Sequence, residues 1–323
     1  MNNLNSLLDR VARRGVSQQQ ILAGSGVSAA DIARRGFKPT VTQFRTVLSN
    51  IVALAPPGIG LSIGLDCNIS HYGMFGYAAL SSATLRDINR LAEQYHVLVD
   101  EFTEYANSEV NGEWRIQFAT TYPLGDALPF LMEELFARTR TETSFYIGKE
   151  IQFKSLDLAY PEPSYGRLYR EVFQCPIRFD RGKNQVVVDA KYLEHPVIFS
   201  NPEVCRLCEE QCAKILGESN QSHSLSTEIR RRLLLNSSGF PPLAEMAAGL
   251  GMNPAFVQRK LREERETYRG LLESIRKDLA IEYLHTTDLS AKEISYRLRF
   301  SNVHNFRRAF KAWTGRYPSH FQR

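Results

Sequence analysis

Two stretches near the end of the chain carry side chains suited to reading nucleic acid. Ala255, Gln258, Arg259 and Arg262 form the first set, and His304, Arg307 and Arg308 the second. Gln pairs bidentately with adenine N6 and N7, Arg with guanine O6 and N7, and a small methyl touches thymine. His304 can donate to a base or to a phosphate. All seven are base-contact candidates. Asn253, Lys260, Lys292, Ser301, Asn302, Lys311 and Arg316 are candidates for the phosphate contacts, which position a protein on the duplex and make its binding salt-sensitive. The competing use of Arg259 is an ion pair with Glu245 or Glu263.

The two sets sit inside one pattern written twice. Met246-Ala247, Leu250-Gly251-Met252-Asn253 and Val257 to Leu261 recur as Ile294-Ser295, Leu298-Arg299-Phe300-Ser301 and Phe306 to Phe310. Each copy predicts two short helices around a tight turn. Met246 and Leu250, or Ile294 and Leu298, lie one turn apart on the first helix. Asn253 and Ser301 supply the oxygen that starts the second, with Pro254 at a favourable first position. Val257 and Leu261, or Phe306 and Phe310, then face the first helix, so the long polar side chains point elsewhere. This is the physics of a helix-turn-helix, in which one helix braces and the other enters the major groove. Between the copies, Tyr268, Leu272, Ile275, Leu279 and Tyr283 repeat at helical spacing and predict a rigid spacer. Two fixed heads would meet successive major-groove segments, about 34–36 Å apart, on one side of the duplex. Phe310 and Trp313 are expected in the core rather than stacked on bases.

These residues resemble the AraC/XylS family of bacterial transcription regulators. The run Ala309-Phe310-Lys311-Ala312-Trp313-Thr314-Gly315-Arg316-Tyr317-Pro318 is similar to that family's signature, and the resemblance covers roughly residues 226–323. Arg265 and Arg299 stand where family members often have glycine, and Ser295 where alanine is usual. Arg299 lies in the second turn, where it is expected to alter the geometry or add a phosphate contact. The resemblance also favours Ala255, Gln258 and Arg259 as contacts. Upstream, His71-Tyr72-Gly73, Leu80 to Leu85, Tyr169 to Asp189 and Tyr192 to Pro196 resemble the effector domain of one branch of the family. That branch includes regulators of ornithine or arginine use and of virulence genes. The likeness implies a sensing or dimerising domain, with Tyr72, Phe75, Tyr77 and Trp114 as effector-pocket candidates or simply as core.

Charge follows the same division. Residues 226–323 hold 18 Lys and Arg against 10 Asp and Glu, whereas the remainder holds 22 against 25. Basicity is confined to the part expected to meet a polyanion. The 323 residues suit two domains: an effector or dimerisation domain over 1–217, a polar linker over 218–226, and the DNA-binding domain over 227–323. The expected fold is a two-domain α+β protein. Its N-terminal domain is mixed and mainly helical with short strands, and its C-terminal domain is all-α with two helix-turn-helix motifs joined by a long helix.

Within the first domain, Thr84 and Asp87 have capping-box spacing ahead of a helix carrying Leu85, Ile88, Leu91 and Tyr95. Asn111-Gly112 marks a turn before an alternating strand, Trp114 to Phe118. Ile59, Leu61, Ile63 and Leu65 alternate, as in a short strand or a turn-rich packing segment. A helix is expected from Leu128 to near Arg140, a strand over Glu150–Leu158, and a hairpin between residues 176–180 and 185–189. The acidic run Glu101, Glu104, Glu109 and Glu113 reads as a solvated helical face.

Cys205, Cys208 and Cys212 share one helical face and could hold a metal or sense oxidants. The same spacing suits plain packing, and no separated second ligand pair is visible. No metal or other cofactor is expected. Neither a phosphate-binding glycine loop, a His-Glu-x-x-His motif nor a Gly-x-Ser-x-Gly elbow occurs, so an enzyme is not expected. No signal peptide or twenty-residue apolar span is visible, which predicts a cytoplasmic protein with no membrane partner. The reading is a sequence-specific DNA-binding regulator, an effector-responsive activator. Its expected partners are double-stranded promoter DNA and RNA polymerase, with a small-molecule effector and a homodimer left open. The alternatives are a metal- or thiol-responsive repressor and a constitutive architectural DNA-binding protein.

Overall fold

The computed structural model describes residues 3–34, 37, 39–66, 69–100, 102–120, 122, 124–220, 225–235, 240–287 and 289–321. The chain forms two compact units. Met1–Phe118 and Asp126–Gly217 make the first, and Glu218–Arg323 with the short segment Ala119–Gly125 makes the second. Among the described residues no single helix is long and apolar enough to cross a membrane.

The first unit begins with α1 (Asn3–Ala12), α2 (Gln18–Leu22), α3 (Ala29–Ala33) and α4 (Val41–Leu54). Ser17, Ser28 and Thr40 each cap the helix that follows, with a reciprocal bond from the residue three further on. Next come α5 (Ile59–Leu65), α6 (Gly73–Ser81) and α7 (Leu85–Tyr95), the last opened by the expected Thr84–Asp87 capping box. The strands and remaining helices follow in the order β1 (Thr103–Val110), β2 (Glu113–Thr120), α8 (Leu128–Ile147), β3 (Phe153–Asp157), α9 (Gly166–Phe173), β4 (Ile177–Arg178), β5 (Asn184–Asp189) and α10 (Pro202–Asn220).

Among the described residues these strands form one sheet, in the order β1-β2-β5-β3-β4. Asn111 and Gly112 turn between β1 and β2 with φ of 53° and 73°, the left-handed pair that a type I′ turn requires. The expected hairpin between 176–180 and 185–189 does not form. β3 lies between β4 and β5, parallel to the first and antiparallel to the second. Nor does the acidic run make a helical face: Glu104 and Glu109 lie on β1 and Glu113 on β2, with Glu109 paired to Arg86 at 2.8 Å. Glu101 falls outside the described residues. The helix expected to end near Arg140 continues two turns further, to Ile147.

The alternating residues Ile59 to Leu65 form neither strand nor turn but helix α5. Its glycines explain the misleading pattern. Gly60 and Gly64, four apart, face α8 so closely that an added methyl would lie 2.4 Å from the Phe130 carbonyl oxygen and 2.6 Å from that of Glu134. Glycine here carries no apolar signal, yet it is the contact face. Buried carboxylates strengthen the joint. Glu133 on α8 accepts hydrogen bonds from the Gly60 and Leu61 amides at the start of α5, and from the Tyr165 and Tyr169 hydroxyls at 2.9 and 2.6 Å. Glu134 holds Arg10 of α1 at 2.8 Å and Arg138 at 3.2 Å.

Apart from Ala119 and Thr120 at the end of β2, the regular elements described in the second unit are helices: α11 (Leu225–Leu235), α12 (Leu243–Gly249), α13 (Pro254–Glu263), α14 (Tyr268–Thr286), α15 (Ala291–Arg297) and α16 (Val303–Thr314). Much of the span 218–226 expected as linker is therefore helix, since α10 continues to Asn220 and α11 starts at Leu225; residues 221–224 lie outside the described set.

Replacing Gly64 by Ala is expected to cost about 2 kcal/mol in urea unfolding, because backbone on α8 cannot yield as a side chain can. The control, Gly217→Ala in α10, meets no atom within 4 Å and should be neutral or stabilising by about 1 kcal/mol. Burial pushes the Glu133 carboxyl up from 4.5 to about 7. Its folded-state value is raised, so its contribution to stability is full below about pH 4.5 and declines as pH rises through 7. A stability-versus-pH series should show that decline in the native protein and a flatter profile in Glu133→Gln.

Candidate functional site

The two heads are built alike down to single backbone bonds. In the first, α12 ends with the Gly251 amide donating to the Ala248 carbonyl at 3.0 Å and the Met252 amide to Ala247 at 2.9 Å. In the second, α15 ends with Arg299 donating to Tyr296 at 3.0 Å and Phe300 to Ser295 at 2.9 Å. Both are Schellman endings, which need a left-handed residue just past the helix. Gly251 takes φ 66°, and Arg299 takes φ 58° in the same place. The expectation that Arg299 alters the turn is thus corrected. The turn keeps its geometry, and the cost is backbone strain at a non-glycine residue. Arg265, after α13, is left-handed in the same way at φ 59°.

Ser295 occupies the place of Ala247, and both are fully buried. Its hydroxyl donates to the Lys292 carbonyl at 2.7 Å, so the extra polar atom is satisfied within its own helix. Asn253 starts α13, its side-chain oxygen accepting from the Ala255 amide at 2.8 Å. In the second head the cap is Asn302 and not Ser301: Asn302 accepts from the Asn305 amide at 2.8 Å, and Ser301 accepts from the Asn305 side chain at 2.8 Å. The inserted Asn302 displaces the cap by one residue, which the matching of Ser301 to Asn253 had hidden.

Val257 and Leu261 are buried on α13, and Phe306 and Phe310 on α16. That fixes each helix's rotation. Ala255, Gln258, Arg259 and Arg262 lie exposed on the opposite side of α13, as do His304, Arg307 and Arg308 on α16. Arg259 approaches Glu263 only to 4.0 Å and rests over the Phe256 ring at 5.1 Å, so its head remains largely in solvent. Of the phosphate candidates, Lys260 pairs with Glu263 at 2.7 Å, and Lys311 donates to the Tyr317 hydroxyl at 3.2 Å. Lys292 and Arg316 are exposed. Trp313 packs against Phe300 in the core of the second head.

The spacer is α14, and its buried face differs from the one read off the sequence. Leu271 and Ile275 enter the first core, Ala280 and Leu284 the second, while Tyr268, Leu272 and Tyr283 flank them half-buried. Leu279 packs against both. The stripe turns around the helix because its two ends serve two different cores.

The first unit contains a partly open cavity of about 110 Å³. Tyr72, Phe75 and Trp114, three of the four residues named as effector-pocket candidates or core, line it. Tyr77 is not in its wall and is half exposed. Sequence reasoning missed the polar members: Asn89 on α7, Asp100 just beyond it, and Arg138 and Glu142 on α8. Asn89 was detectable, since it interrupts the apolar side of α7 four residues after Leu85. The cavity charges are tied into a network. Tyr72 donates to Glu142 at 2.6 Å and accepts from Arg138, which in turn reaches Glu134.

The three cysteines of α10 lie together, with Cys212 buried and Cys205 and Cys208 half-buried against Phe75, Ala78, Leu91, Tyr95 and Leu216. Burial pushes the Cys212 thiol up to about 11, and raises Cys208 as well, which disfavours the thiolate that metal binding or oxidation needs. The arrangement matches that of packing residues.

Residues 15–197 match the family profile of the N-terminal arabinose-binding domain of AraC transcription regulators, and residues 246–323 match that of a helix-turn-helix domain. The chain is 33% identical over 318 residues to the ornithine utilization regulator of Pseudomonas aeruginosa, covering 98% of this chain and 94% of that one. It is 26% identical to an uncharacterized HTH-type transcriptional regulator of Mycobacterium tuberculosis, over 96% of this chain and 92% of that one. The crystal structure of the transcriptional regulator CdpR from Pseudomonas aeruginosa aligns with a TM-score of 0.47 at 19% identity, covering 90% of this chain and 95% of that one.

The strained turn yields a direct test. Arg299→Gly should raise the stability of the second head by about 1 kcal/mol, read by chemical denaturation. If Arg299 also touches phosphate, the same variant will bind DNA more weakly, with a salt slope shallower by about 0.9.

Proposed function

The chain belongs to the AraC family of transcription regulators, sequence-specific DNA-binding proteins, and we propose that it acts as an effector-responsive activator. The observation that carries this reading is the pair of matching heads on α14, each offering exposed Gln, Arg or His side chains from a helix whose rotation is fixed by buried residues. In this reading Gln258, Arg259 and Arg262 read one major-groove segment, with Ala255 as a small apolar contact. His304, Arg307 and Arg308 read the next. Asn253, Lys260, Lys292, Ser301, Asn302, Lys311 and Arg316 grip the backbone. Both heads engage one side of promoter DNA, where the bound regulator positions RNA polymerase.

The effector enters the cavity lined by Tyr72, Phe75 and Trp114. Its binding shifts the balance between forms of the first unit that differ in affinity for it, which is the only way a ligand can move such an equilibrium. The name of the Pseudomonas aeruginosa relative, an ornithine utilization regulator, supports a small metabolite as the signal class.

Genome-wide mapping of bound DNA in the native host, beside an Arg259→Ala/Arg307→Ala double variant, tests the heads. Sharp peaks at one locus should vanish in the variant, since each bidentate contact is worth about 1–3 kcal/mol of discrimination. Occupancy that persists in the variant would remove the assignment of these arginines. Transcription from the mapped promoter in vitro then tests activation: RNA yield should rise with added regulator, and a fall would make it a repressor.

A further inference from the structure

The cavity of the first unit combines features that select a ligand by chemistry. Trp114 sits on the inner face of β2, only 2% exposed, and its indole N–H has no protein acceptor. Asn89, 8% exposed on α7, has its carbonyl oxygen occupied by the Tyr105 hydroxyl at 2.8 Å. With that oxygen accepting, the NH2 end is left as a second buried donor without a protein partner. Both residues line the cavity. Buried donors are nearly always paired in folded proteins, so two orphans on residues that line one hollow call for an oxygen acceptor brought within their reach.

The charge on the walls adds a second requirement. Asp100 and Glu142 both line the cavity. Asp100 is held by the amides of Phe102 and Thr103 at 2.9 and 3.2 Å, and Glu142 by the Tyr72 hydroxyl at 2.6 Å. The cation in the wall, Arg138, shares Glu134 with Arg10, at 3.2 and 2.8 Å. The walls thus carry both signs of charge, which a molecule bearing both a carboxylate and an ammonium group complements. Size supplies the third requirement. At about 110 Å³ the cavity is smaller than the 150 Å³ or so that accommodates benzene in an engineered site.

We propose that this cavity binds a compact zwitterion, an amino acid whose carboxylate accepts from Trp114 and Asn89 and whose ammonium group faces Asp100 and Glu142. The assignment rests on the reading of the cavity as the effector site, and names its ligand class.

The probes are glycine, 3-aminopropanoate and 4-aminobutanoate, with butanoate and butylamine as half-ligands. They are titrated into the full-length protein by calorimetry and thermal shift. At least one amino acid should bind and raise the Tm, and each half-ligand should bind at least about tenfold more weakly. Trp114→Phe removes the N–H and leaves a smaller ring. It should lower the Tm of the unliganded protein modestly, because part of the indole's space is left empty, while weakening amino-acid binding about tenfold, the size of one hydrogen bond. Three results would each overturn the proposal: no binding by any of the three amino acids, butanoate binding as tightly as 4-aminobutanoate, or undiminished binding by Trp114→Phe. Promoter binding is measured on the same samples. Intact promoter binding with no amino-acid binding rejects the ligand class and leaves the DNA reading standing. Amino-acid binding that leaves promoter transcription unmoved upholds the ligand class and rejects the effector role.

Discussion

Helix α14 belongs to two hydrophobic cores at once, and the DNA-reading geometry depends on that sharing. Leu271 and Ile275 are locked into the first head, Ala280 and Leu284 into the second, and Leu279 touches both. A linker would let the heads tumble independently. A helix buried in each core fixes their separation and phase, because neither head can rotate about α14 without exposing apolar surface. At about 25 cal/mol per Å², exposing one such leucine costs about 2 kcal/mol, several times thermal energy. A second tie acts on the first head, where Glu264 at the end of α13 accepts from the Leu225 and Ser226 amides at 2.6 and 2.8 Å. A carboxylate at the start of α11 opposes the positive end of that helix's dipole.

The second unit was legible in the sequence because its constraints are local. Two helices and a Schellman turn are written in about fifteen consecutive residues, and having them twice makes the reading redundant. Buried Val257 and Phe306 could be placed by spacing alone, and the exposure of the candidate contact residues followed from them. What spacing misplaced was the rotation of α14, since one continuous stripe was assumed where two cores pull different residues inward. The shift of the second cap to Asn302 was hidden for a related reason: both Ser301 and Asn302 have a suitable oxygen, and only the backbone decides between them.

The first unit was less legible, because its key contacts join residues far apart in the chain and use groups with no hydrophobic signature. Gly60 and Gly64 form a contact face by lacking side chains. The Glu133 carboxylate is buried because two tyrosines and two amides surround it, and the partners lie about thirty to seventy residues away. The sheet order failed for the same reason. Residues 176–180 and 185–189 are close in sequence, but Leu156 of β3 pairs with both Ile177 and Val186 and so separates them. Aromatic residues gave three walls of the cavity, and its charges went unnoticed because Arg138 and Glu142 sit on a helix that otherwise reads as core.

Two of the places where local rules are broken fall at the proposed sites. Arg299 holds a left-handed conformation that Gly251 adopts without strain in the duplicate turn, so the cost at Arg299 is not imposed by the fold. A glycine would serve the turn equally well, and the arginine places a cation beside the second recognition helix. Trp114 and Asn89 are likewise donors that the fold surrounds without satisfying. Strain and unpaired polar groups lower stability, and natural sequences keep them where binding recovers the loss. In one unit the recovery would come from a phosphate, in the other from a ligand oxygen. The two exceptions therefore fit the two molecules that the proposed effector-responsive regulator would bind.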